Sequence, residues 1–226
     1  MSEQLKIIQL NPNDDVKHPL PHDLLPNPST CFRLISIAPS HSGKSLCILN
    51  MVTRPEFGLS DYYKENIFLI SETLGLDKTW ASLNLPKHHK IDHWDEEIMS
   101  EIMEYSEKQP HGCLLIMDDM VCSKAIDKVR GTLLDRLYMM GRHHKISLIM
   151  TSQRYFSLSP QMRLNASHVI VFNLMNASER KSFLNDFVSI KNLPHHLDTV
   201  TSERYQFLYI DVAKGAVYRN FEEQLE

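Results

Sequence analysis

The sequence lacks any segment that would place it across a membrane. No apolar run reaches the roughly 18–20 residues that a membrane span needs. The N-terminal stretch MSEQLKIIQLNPNDD also lacks the basic start and the apolar run of a signal peptide. We therefore expect a protein that is not secreted and that works off the membrane.

Paired metal-ligand patterns are missing as well. None of the four cysteines (Cys31, Cys47, Cys113, Cys122) forms a CxxC pair, and three lie in or beside apolar runs. This favours reduced, buried thiols over a disulfide or metal role. Neighbouring histidines point to different sides of a helix or strand, so such pairs are poor chelates and we expect no zinc. The pairs are His88–His89, His143–His144 and His195–His196.

The chain also lacks a strong excess of either charge. Its 226 residues hold 24 Lys and Arg against 28 Asp and Glu, a net charge of −4, which argues against coating nucleic acid by bulk positive charge. With 42% hydrophobic and 23% charged residues, the composition is that of a folded globular protein. At roughly 150 residues per domain, the length predicts one large domain, alone or with arms.

Proline is concentrated near the N-terminus. Five of the eleven prolines lie between Pro12 and Pro28, in NPNDDVKHPLPHDLLPNP. Because proline removes backbone donors and restricts the preceding residue, this stretch predicts an extended arm. We expect residues 1–30 to form that arm, with a short strand at 6–10, and residues 31–226 to form one domain.

From residue 31 onward, short apolar runs alternate with helical patterns. This alternation predicts an α/β fold with a mostly parallel central sheet flanked by helices on both faces. Tyr205 to Val212 and Ala216 to Phe221 predict a C-terminal β-hairpin around Ala-Lys-Gly. The other predicted strands are 32–38, 66–71, 113–117, 146–151 and 168–172, and the predicted helices are 45–53, 95–107, 123–140 (with Gly141 as its C-cap) and 178–188.

The strongest motif follows the first predicted strand and precedes a predicted helix. It resembles the phosphate loop GxxxxGK[ST], whose backbone amides surround a phosphate at a helix start. Glycine lets the chain approach closely, lysine places a cation on the β and γ oxygens, and serine offers a hydroxyl to Mg²⁺. The predicted loop comprises Ala38, Pro39, Ser40, His41, Ser42, Gly43, Lys44 and Ser45.

One position departs from that pattern, because Ala38 stands where the first glycine is expected. Alanine is tolerated if this position ends the strand with ordinary dihedral angles, and strained if it needs a positive φ. We expect the former. The alternative, a chance GKS in a loop, is disfavoured by the flanking strand and helix.

Two carboxylates, Asp118 and Asp119, follow the predicted strand CLLIM. In phosphate-loop proteins the first acid of such a strand holds Mg²⁺, and a second acid can polarise the attacking water. A helix N-cap is the alternative role for Asp118. Because aspartate is shorter than glutamate, Asp119 would need a closer nucleotide or a bridging water, and Glu72 at the tip of the second strand is the alternative base.

The fourth predicted strand, ISLIMT, ends in Ser-Gln. A polar residue at its tip would sit between the phosphate loop and the acidic pair. Gln153 has the reach and both hydrogen-bonding senses to contact the γ-phosphate and orient water. The alternative is an ordinary surface glutamine.

Together these segments resemble one family. The combination of SGKS, LLIMDD and GRHHKISLIMTSQRY followed by RLNASHVIVF is similar to the poxvirus-type genome-packaging ATPases of large DNA viruses and virophages, within the HerA/FtsK superfamily. The resemblance spans residues 18 to 212. It implies a RecA-like fold and a homo-oligomeric ring, pentameric or hexameric, that hydrolyses ATP with Mg²⁺ to move double-stranded DNA into a capsid or portal vertex. It also implies work in the host-cell cytoplasm or a viral factory, with virion association left open.

The resemblance also implies residue roles by motif position. Lys44 and Ser45 would contact phosphate and Mg²⁺, Asp118 would hold Mg²⁺, and Asp119 would be the catalytic acid. Gln153 takes the sensor position. Arg142, just before the fourth strand, matches the position of an arginine that acts on a neighbouring subunit's nucleotide.

A long segment contains no acidic residue. From Arg136 to Ser178 there is no Asp or Glu, and the five Lys and Arg give this stretch a local charge of +5. A DNA-tracking surface would look like this. The alternative is a solvated face balanced by the acidic helix at 95–107. The candidate DNA contacts are Arg154, Tyr155, Arg163 and Asn165.

Two other functions are alternatives to DNA translocation, and the sequence disfavours the second. A nucleotide-dependent switch or assembly factor would bind ATP without moving DNA. A small-molecule kinase needs an arginine-rich lid, for which the chain between the fourth and fifth strands is too short. Guanine specificity is disfavoured, because no NKxD occurs in the sequence.

Overall fold

The computed structural model describes residues 24–75, 78–119 and 133–226. The predicted strand at 6–10 and most of the predicted arm lie outside these residues. So do Cys122 and residues 123–132 of one predicted helix.

Across these ranges, nine strands form one sheet in the order β3-β2-β4-β5-β1-β6-β7-β8-β9. Strands β1 to β6 pair in parallel, and β7 to β9 are antiparallel. The predicted parallel sheet and terminal hairpin are confirmed. The strands are β1 Arg33–Ile37, β2 Ile67–Ile70, β3 Lys90–Ile91, β4 Cys113–Met117, β5 Ile146–Ser152, β6 His168–Val171, β7 Leu208–Asp211, β8 Ala216–Arg219 and β9 Glu223–Leu225.

Helices cover this sheet. None of those that the structure describes is long and apolar enough to cross a bilayer. The sequence predicted the first, third, fourth and sixth of them, and it missed the other three. They are α1 Lys44–Thr53, α2 Leu59–Tyr63, α3 Glu96–Lys108, α4 Leu133–Met140, α5 Pro160–Leu164, α6 Ala177–Asp186 and α7 Leu193–Thr201.

The sheet separates two apolar cores. Successive residues of a strand point to opposite faces, so Leu34 enters one core and Ile35 the other. Helix α1 packs into the first core, whereas α3, α4 and α7 pack into the second. Burial on both faces explains why the central strands are continuously apolar rather than alternating.

The cysteines that the structure describes are free thiols. Cys47 and Cys113 are buried, as predicted, and Cys31 is partly exposed. Burial raises the pKa of the Cys113 thiol to about 11, and burial also raises the pKa of Cys47. Both thiols therefore stay protonated at neutral pH.

The α-helix ends at Met140, directly before Gly141 as predicted, but Gly141 lacks the positive φ of a C-cap glycine. The chain continues instead as a 3-10 helix over Gly141–His144, and the left-handed residue is Lys145, with φ 55°. Gly112 packs against this turn, since a Cβ there would lie 1.9 Å from the Lys145 carbonyl oxygen. The turn before β5 is thus fixed by tertiary contacts, which local sequence does not reveal.

Candidate nucleotide site

Sheet order brings the three predicted motifs to one edge. Strand β5 lies between β1 and β4, and all three run parallel. The loop after β1, the acidic pair after β4 and Gln153 after β5 therefore follow adjacent carboxyl ends, where ligands bind in open α/β sheets. Gln153 thus follows the strand that lies between the strand before the loop and the strand before the acidic pair.

The phosphate loop accommodates Ala38 without strain. Ala38 is buried, its amide donates to the Ser152 carbonyl (3.1 Å), and its φ is not positive. The left-handed conformations fall instead on His41 (φ 61°) and Gly43 (φ 89°). Gly43 precedes α1, whose first amides are available to an anion because helix N-termini lack intrahelical partners for them.

Lys44 is the first residue of α1 and is mostly buried. Its Nζ lies 3.6 Å from Asp119 Oδ1, so the lysine and the second acid form an ion pair across the cleft. An ammonium at this position faces the anions that the loop amides attract. The pair places the cation and the candidate base within reach of one bound phosphate.

Asp118 is almost fully buried and is held by three neutral donors among the described residues. The Trp80 indole Nε1 donates to Oδ2 (2.7 Å), and the Thr151 hydroxyl donates to Oδ1 (2.6 Å). The Ser45 hydroxyl lies 3.3 Å from Oδ1. These bonds fix the direction of the carboxylate and place it beside the serine that the motif assigns to Mg²⁺.

Mg²⁺ fits this pair of oxygen ligands. It is usually bound through one or two carboxylates together with substrate phosphates and water, rather than by a full protein cage. Within the described ranges, no group of three or more His, Cys, Asp or Glu side chains could hold a metal. Ser45 and Asp118 would therefore share the ion with a nucleotide.

A hydrogen-bonded chain links the loop to the second acid. The Ser40 hydroxyl donates to Gln153 Oε1 (2.6 Å), and Gln153 Nε2 donates to Asp119 Oδ2. The Asp119 amide donates to the Thr151 hydroxyl (3.0 Å), and Asp119 has a positive φ of 51°. Glu72 is exposed and does not line the cleft, so the geometry favours Asp119 as the base.

The loop opens into a cleft of about 660 Å³. Sequence reasoning missed five residues of its lining. One is Leu46, directly after the loop. The other four come from the segment after β2 and from the turn before β7, and they are Thr73, Thr79, Arg204 and Tyr205. Thr73 could have been predicted, because it follows the carboxyl end of β2, where ligands bind in open α/β sheets. No local sequence pattern indicated Arg204.

Arg142 lies at the opposite edge. It is exposed in the turn that precedes β5, whereas Gln153 follows the carboxyl end of that strand. A strand of this length separates them by roughly 20 Å. Lys145 fixes the turn, because its Nζ donates to the carbonyl oxygens of Glu107 (3.0 Å) and Gln109 (3.1 Å).

The candidate DNA contacts differ in exposure. Arg154 is exposed, with Nε 3.4 Å from Glu179 Oε1. Arg163 is mostly buried, pairs with Asp186 (2.9 Å) and lies over the Tyr155 ring. Tyr155 itself is fully buried, so its prediction as a DNA contact is wrong. These contacts argue against Arg163 as a DNA contact and leave Arg154 as the better candidate.

Asn165 serves a local role in the structure. Its Nδ2 donates to the Gln161 carbonyl (2.9 Å), and its own carbonyl accepts from Arg33 Nε (2.7 Å). The side chain stays exposed, so its prediction as a DNA contact stands untested.

Solved structures with this fold include viral packaging proteins. The chain resembles B204, the DNA-packaging ATPase from Sulfolobus turreted icosahedral virus (TM-score 0.64, 17% identity, covering 88% of this chain and 100% of that chain). It also resembles the genome packaging NTPase B204 from Sulfolobus turreted icosahedral virus 2 in complex with AMP (TM-score 0.64, 17% identity, 86% and 98% covered).

A third similar structure contains ATPases 2 and 3 of EssC from Geobacillus thermodenitrificans (TM-score 0.55, 16% identity). It covers 84% of this chain but only 39% of that chain. At such identities these likenesses show the fold alone, which is that of phosphate-loop NTPases.

Sequence comparison identifies the family. No curated protein sequence matches the chain. The family model described as Poxvirus A32 protein matches residues 24–218, a range that includes the phosphate loop, both acids, Arg142 and Gln153. The chain therefore belongs to the poxvirus A32 protein family, as its resemblance to the poxvirus-type packaging ATPases predicts.

Proposed function

We propose that this protein is an ATPase that translocates double-stranded DNA and packages a viral genome into a preformed capsid. The observation that carries the proposal is the convergence of Lys44, the Ser45–Asp118 pair and the Asp119–Gln153 pair on one cleft. Family membership supports the packaging role, and B204 is described as a packaging ATPase or NTPase.

ATP binding follows from the loop and its cation. The amides at the start of α1 and the Lys44 ammonium take the β- and γ-phosphates. Ser45 and Asp118 would hold Mg²⁺, which would supply positive charge to the phosphate oxygens. Structures of B204 with AMP and with ATP-gammaS support nucleotide binding by this fold.

Hydrolysis requires a water activated beside the γ-phosphate. Asp119 is the proposed base, and Gln153 orients it through their hydrogen bond. In the structure, the Lys44 ammonium forms an ion pair with the Asp119 carboxylate. A bound triphosphate competes for the lysine, so nucleotide binding releases the carboxylate for the water. The base therefore becomes available only when substrate is present.

A ring completes the site. Arg142 is too far from its own cleft to stabilise the γ-phosphate, but in a head-to-tail ring it reaches the cleft of the neighbouring subunit. Arginines in such positions contribute about 10³–10⁵ in rate. The hydrogen bonds of Lys145 hold the turn that carries Arg142 in place. Less conformational entropy is therefore lost when Arg142 contacts the neighbouring subunit.

The proposed partners are double-stranded DNA, further copies of this chain, and a capsid or portal vertex. The proposed location is the host-cell cytoplasm or a viral factory. The alternative function is a nucleotide-dependent assembly factor that binds ATP without moving DNA. DNA-dependent turnover distinguishes these two functions.

The test measures ATP turnover by the purified chain with and without double-stranded DNA, beside the oligomer mass in the same buffer. Low salt is needed because phosphate contacts weaken steeply as salt rises. We expect DNA to stimulate turnover in an oligomeric sample, and Lys44→Ala to show no turnover in either condition. Turnover that ignores DNA at every salt concentration would favour the assembly factor.

A further inference from the structure

The turn before β7 presents an aromatic ring to the phosphate loop. The Tyr205 Cδ1 lies 3.4 Å from the position that a Cβ on Gly43 would occupy. The Arg204 guanidinium carbon lies 4.7 Å from the centroid of the Tyr205 ring. Both residues line the cleft that contains the loop, and the tyrosine is 55% exposed.

The exposure of this ring is not a consequence of loose packing around it. The next residue but one, Phe207, is buried, and its amide donates to the Asn220 side-chain oxygen (3.2 Å). Asn220 Nδ2 also donates to Gln206 Oε1 (2.7 Å). The two residues after Tyr205 are therefore tied to Asn220, the residue that follows β8, and the exposed ring is held at the cleft.

The backbone of Tyr205 supports the same conclusion. Its φ is 68°, in the left-handed region that a bulky side chain rarely adopts. Such conformations persist where surrounding contacts fix them, and they are concentrated at ligand clamps and active sites. Here the conformation places an aromatic side chain beside Gly43, at the start of α1.

The chemistry of the pair matches a flat, apolar ligand group. Aromatic rings and guanidinium planes stack on nucleobases, which expose π faces. The phosphates of a nucleotide occupy only the loop, and its base must lie elsewhere in the cleft. The cleft volume, about 660 Å³, is within the range of roughly 300–1,000 Å³ that small-molecule sites span.

We infer that Arg204 and Tyr205 form the nucleobase subsite of this cleft and bind the base by stacking. The inference rests on the proposed function in one respect, namely that the phosphates bind at residues 38–45. Thr73 and Thr79, which also line the cleft, supply hydroxyls that the sugar or the edge of the base can contact.

The experiment separates the base from the phosphates by using two ligands. Calorimetry measures the affinity of a non-hydrolysable ATP analogue and of inorganic tripolyphosphate, both with Mg²⁺. The variants are Tyr205→Ala and Tyr205→Asn, the latter because asparagine tolerates a positive φ and so protects the fold. Tyr205→Phe retains the ring. Phe156→Ala, which removes an aromatic side chain of similar exposure (50%) outside the cleft lining, is the matched control.

We expect both ring-deleting variants to bind the ATP analogue about tenfold more weakly and to bind tripolyphosphate as the wild type does. Tyr205→Phe and Phe156→Ala should bind both ligands normally. Equal losses for the two ligands would show that the ring only shapes the phosphate loop, and no loss would exclude stacking; either result overturns the subsite.

The proposed function fails differently. It predicts that the wild type binds both ligands and that Lys44→Ala weakens both. A wild-type chain that binds neither ligand would remove the phosphate site and, with it, the subsite. A wild type that binds both, together with Tyr205 variants that bind both equally well, would overturn the subsite alone.

Discussion

The two edges of the parallel sheet are built from the same strands but use their charges differently. At the carboxyl ends of β1, β4 and β5, Lys44, Asp118 and Asp119 are partnered across elements and line or border a cleft. At the amino edge, Lys145 is bonded to backbone carbonyls and Arg142 is exposed. One edge can bind a charged ligand, and the other presents a cation outward.

This difference explains why one subunit is insufficient in the proposed mechanism. The carboxyl edge holds the groups for phosphate, Mg²⁺ and water, but roughly 20 Å separates it from Arg142. The two edges of one chain cannot meet at one phosphate. In the proposed head-to-tail ring, the amino edge of one subunit would face the carboxyl edge of the next, and the two sets of charges would be combined.

Removal of Lys44 should have the largest effect, because it takes the phosphate cation from the carboxyl edge. We expect Lys44→Ala to lower ATP turnover by more than about 10³-fold, since the lysine acts on charge that develops in the transition state. Circular dichroism should show an intact fold. Unchanged turnover in the folded variant would contradict the assignment of the loop.

The two acids of the carboxyl edge should separate in their effects. Asp118→Asn should weaken Mg²⁺-dependent nucleotide binding, because this carboxylate lies beside Ser45. Asp119→Asn should keep binding and lose about 10²-fold in turnover, because a base acts mainly in the transition state. Turnover and calorimetry on both variants provide the check.

Glu72→Gln is the matched control for the acid assignment. Its side chain is exposed and outside the cleft lining, so turnover should not change. If Glu72→Gln abolished turnover while Asp119→Asn left it normal, the base would be Glu72.

Trp80 should have a smaller effect through Asp118. Its indole N–H fixes one carboxylate oxygen, and partners of this kind typically contribute 10- to 100-fold in metal affinity. We expect Trp80→Phe to raise the Mg²⁺ concentration for half-maximal nucleotide binding about tenfold. The measurement is a Mg²⁺ titration of binding, with Trp94→Phe as the control for tryptophan loss. An unchanged Mg²⁺ requirement would show that the bond serves packing only.

The smallest expected effect concerns DNA. Arg154→Gln should reduce the salt slope of DNA binding by about one unit for the lost phosphate contact. Arg163→Gln should leave that slope unchanged and lower the free energy of unfolding by about 2 kcal/mol, because it removes a charged hydrogen bond from a partly buried ion pair. The two slopes and a urea unfolding curve provide the check. The reverse pattern would place the DNA surface at Arg163.

Much of the carboxyl edge could be predicted from sequence, for a physical reason. The loop, the acidic pair and Gln153 each follow an apolar strand, and parallel strands direct all their carboxyl ends to one edge. Once the sheet is parallel, these motifs must converge. The position of Gln153 between the other two follows from β5 lying between β1 and β4.

Contacts between distant segments could not be predicted in this way. Trp80 and Asp118 are 38 residues apart, and no local pattern joins them. Tyr155 lies in a basic, polar stretch of the sequence but is buried in the core. Its hydroxyl can be buried because it donates a hydrogen bond to Asp186 (2.6 Å). Tyr205 was predicted to begin a strand, and only the folded turn shows that its ring faces Gly43.

The stretch without acidic residues, 136–178, also shows that contacts between distant segments cannot be predicted from local sequence. Its charge of +5 suggested a single basic surface, but two of its arginines pair with acids beyond the stretch, at Glu179 and Asp186. Charge balance in the fold depends on which helices pack together. Arg142 is exposed in the fold, so the proposed action of the amino edge on a neighbouring subunit rests mainly on this residue.

The most direct test of the account mixes two variants that each break one edge. Arg142→Ala alone should lower turnover by at least about 10³-fold, and Lys44→Ala alone should be inactive. Mixed rings contain interfaces in which an intact Lys44 faces an intact Arg142, so we predict that turnover partly returns on mixing and not in either unmixed sample. No recovery in rings shown to be mixed would contradict the claim that neighbouring subunits complete one another's sites.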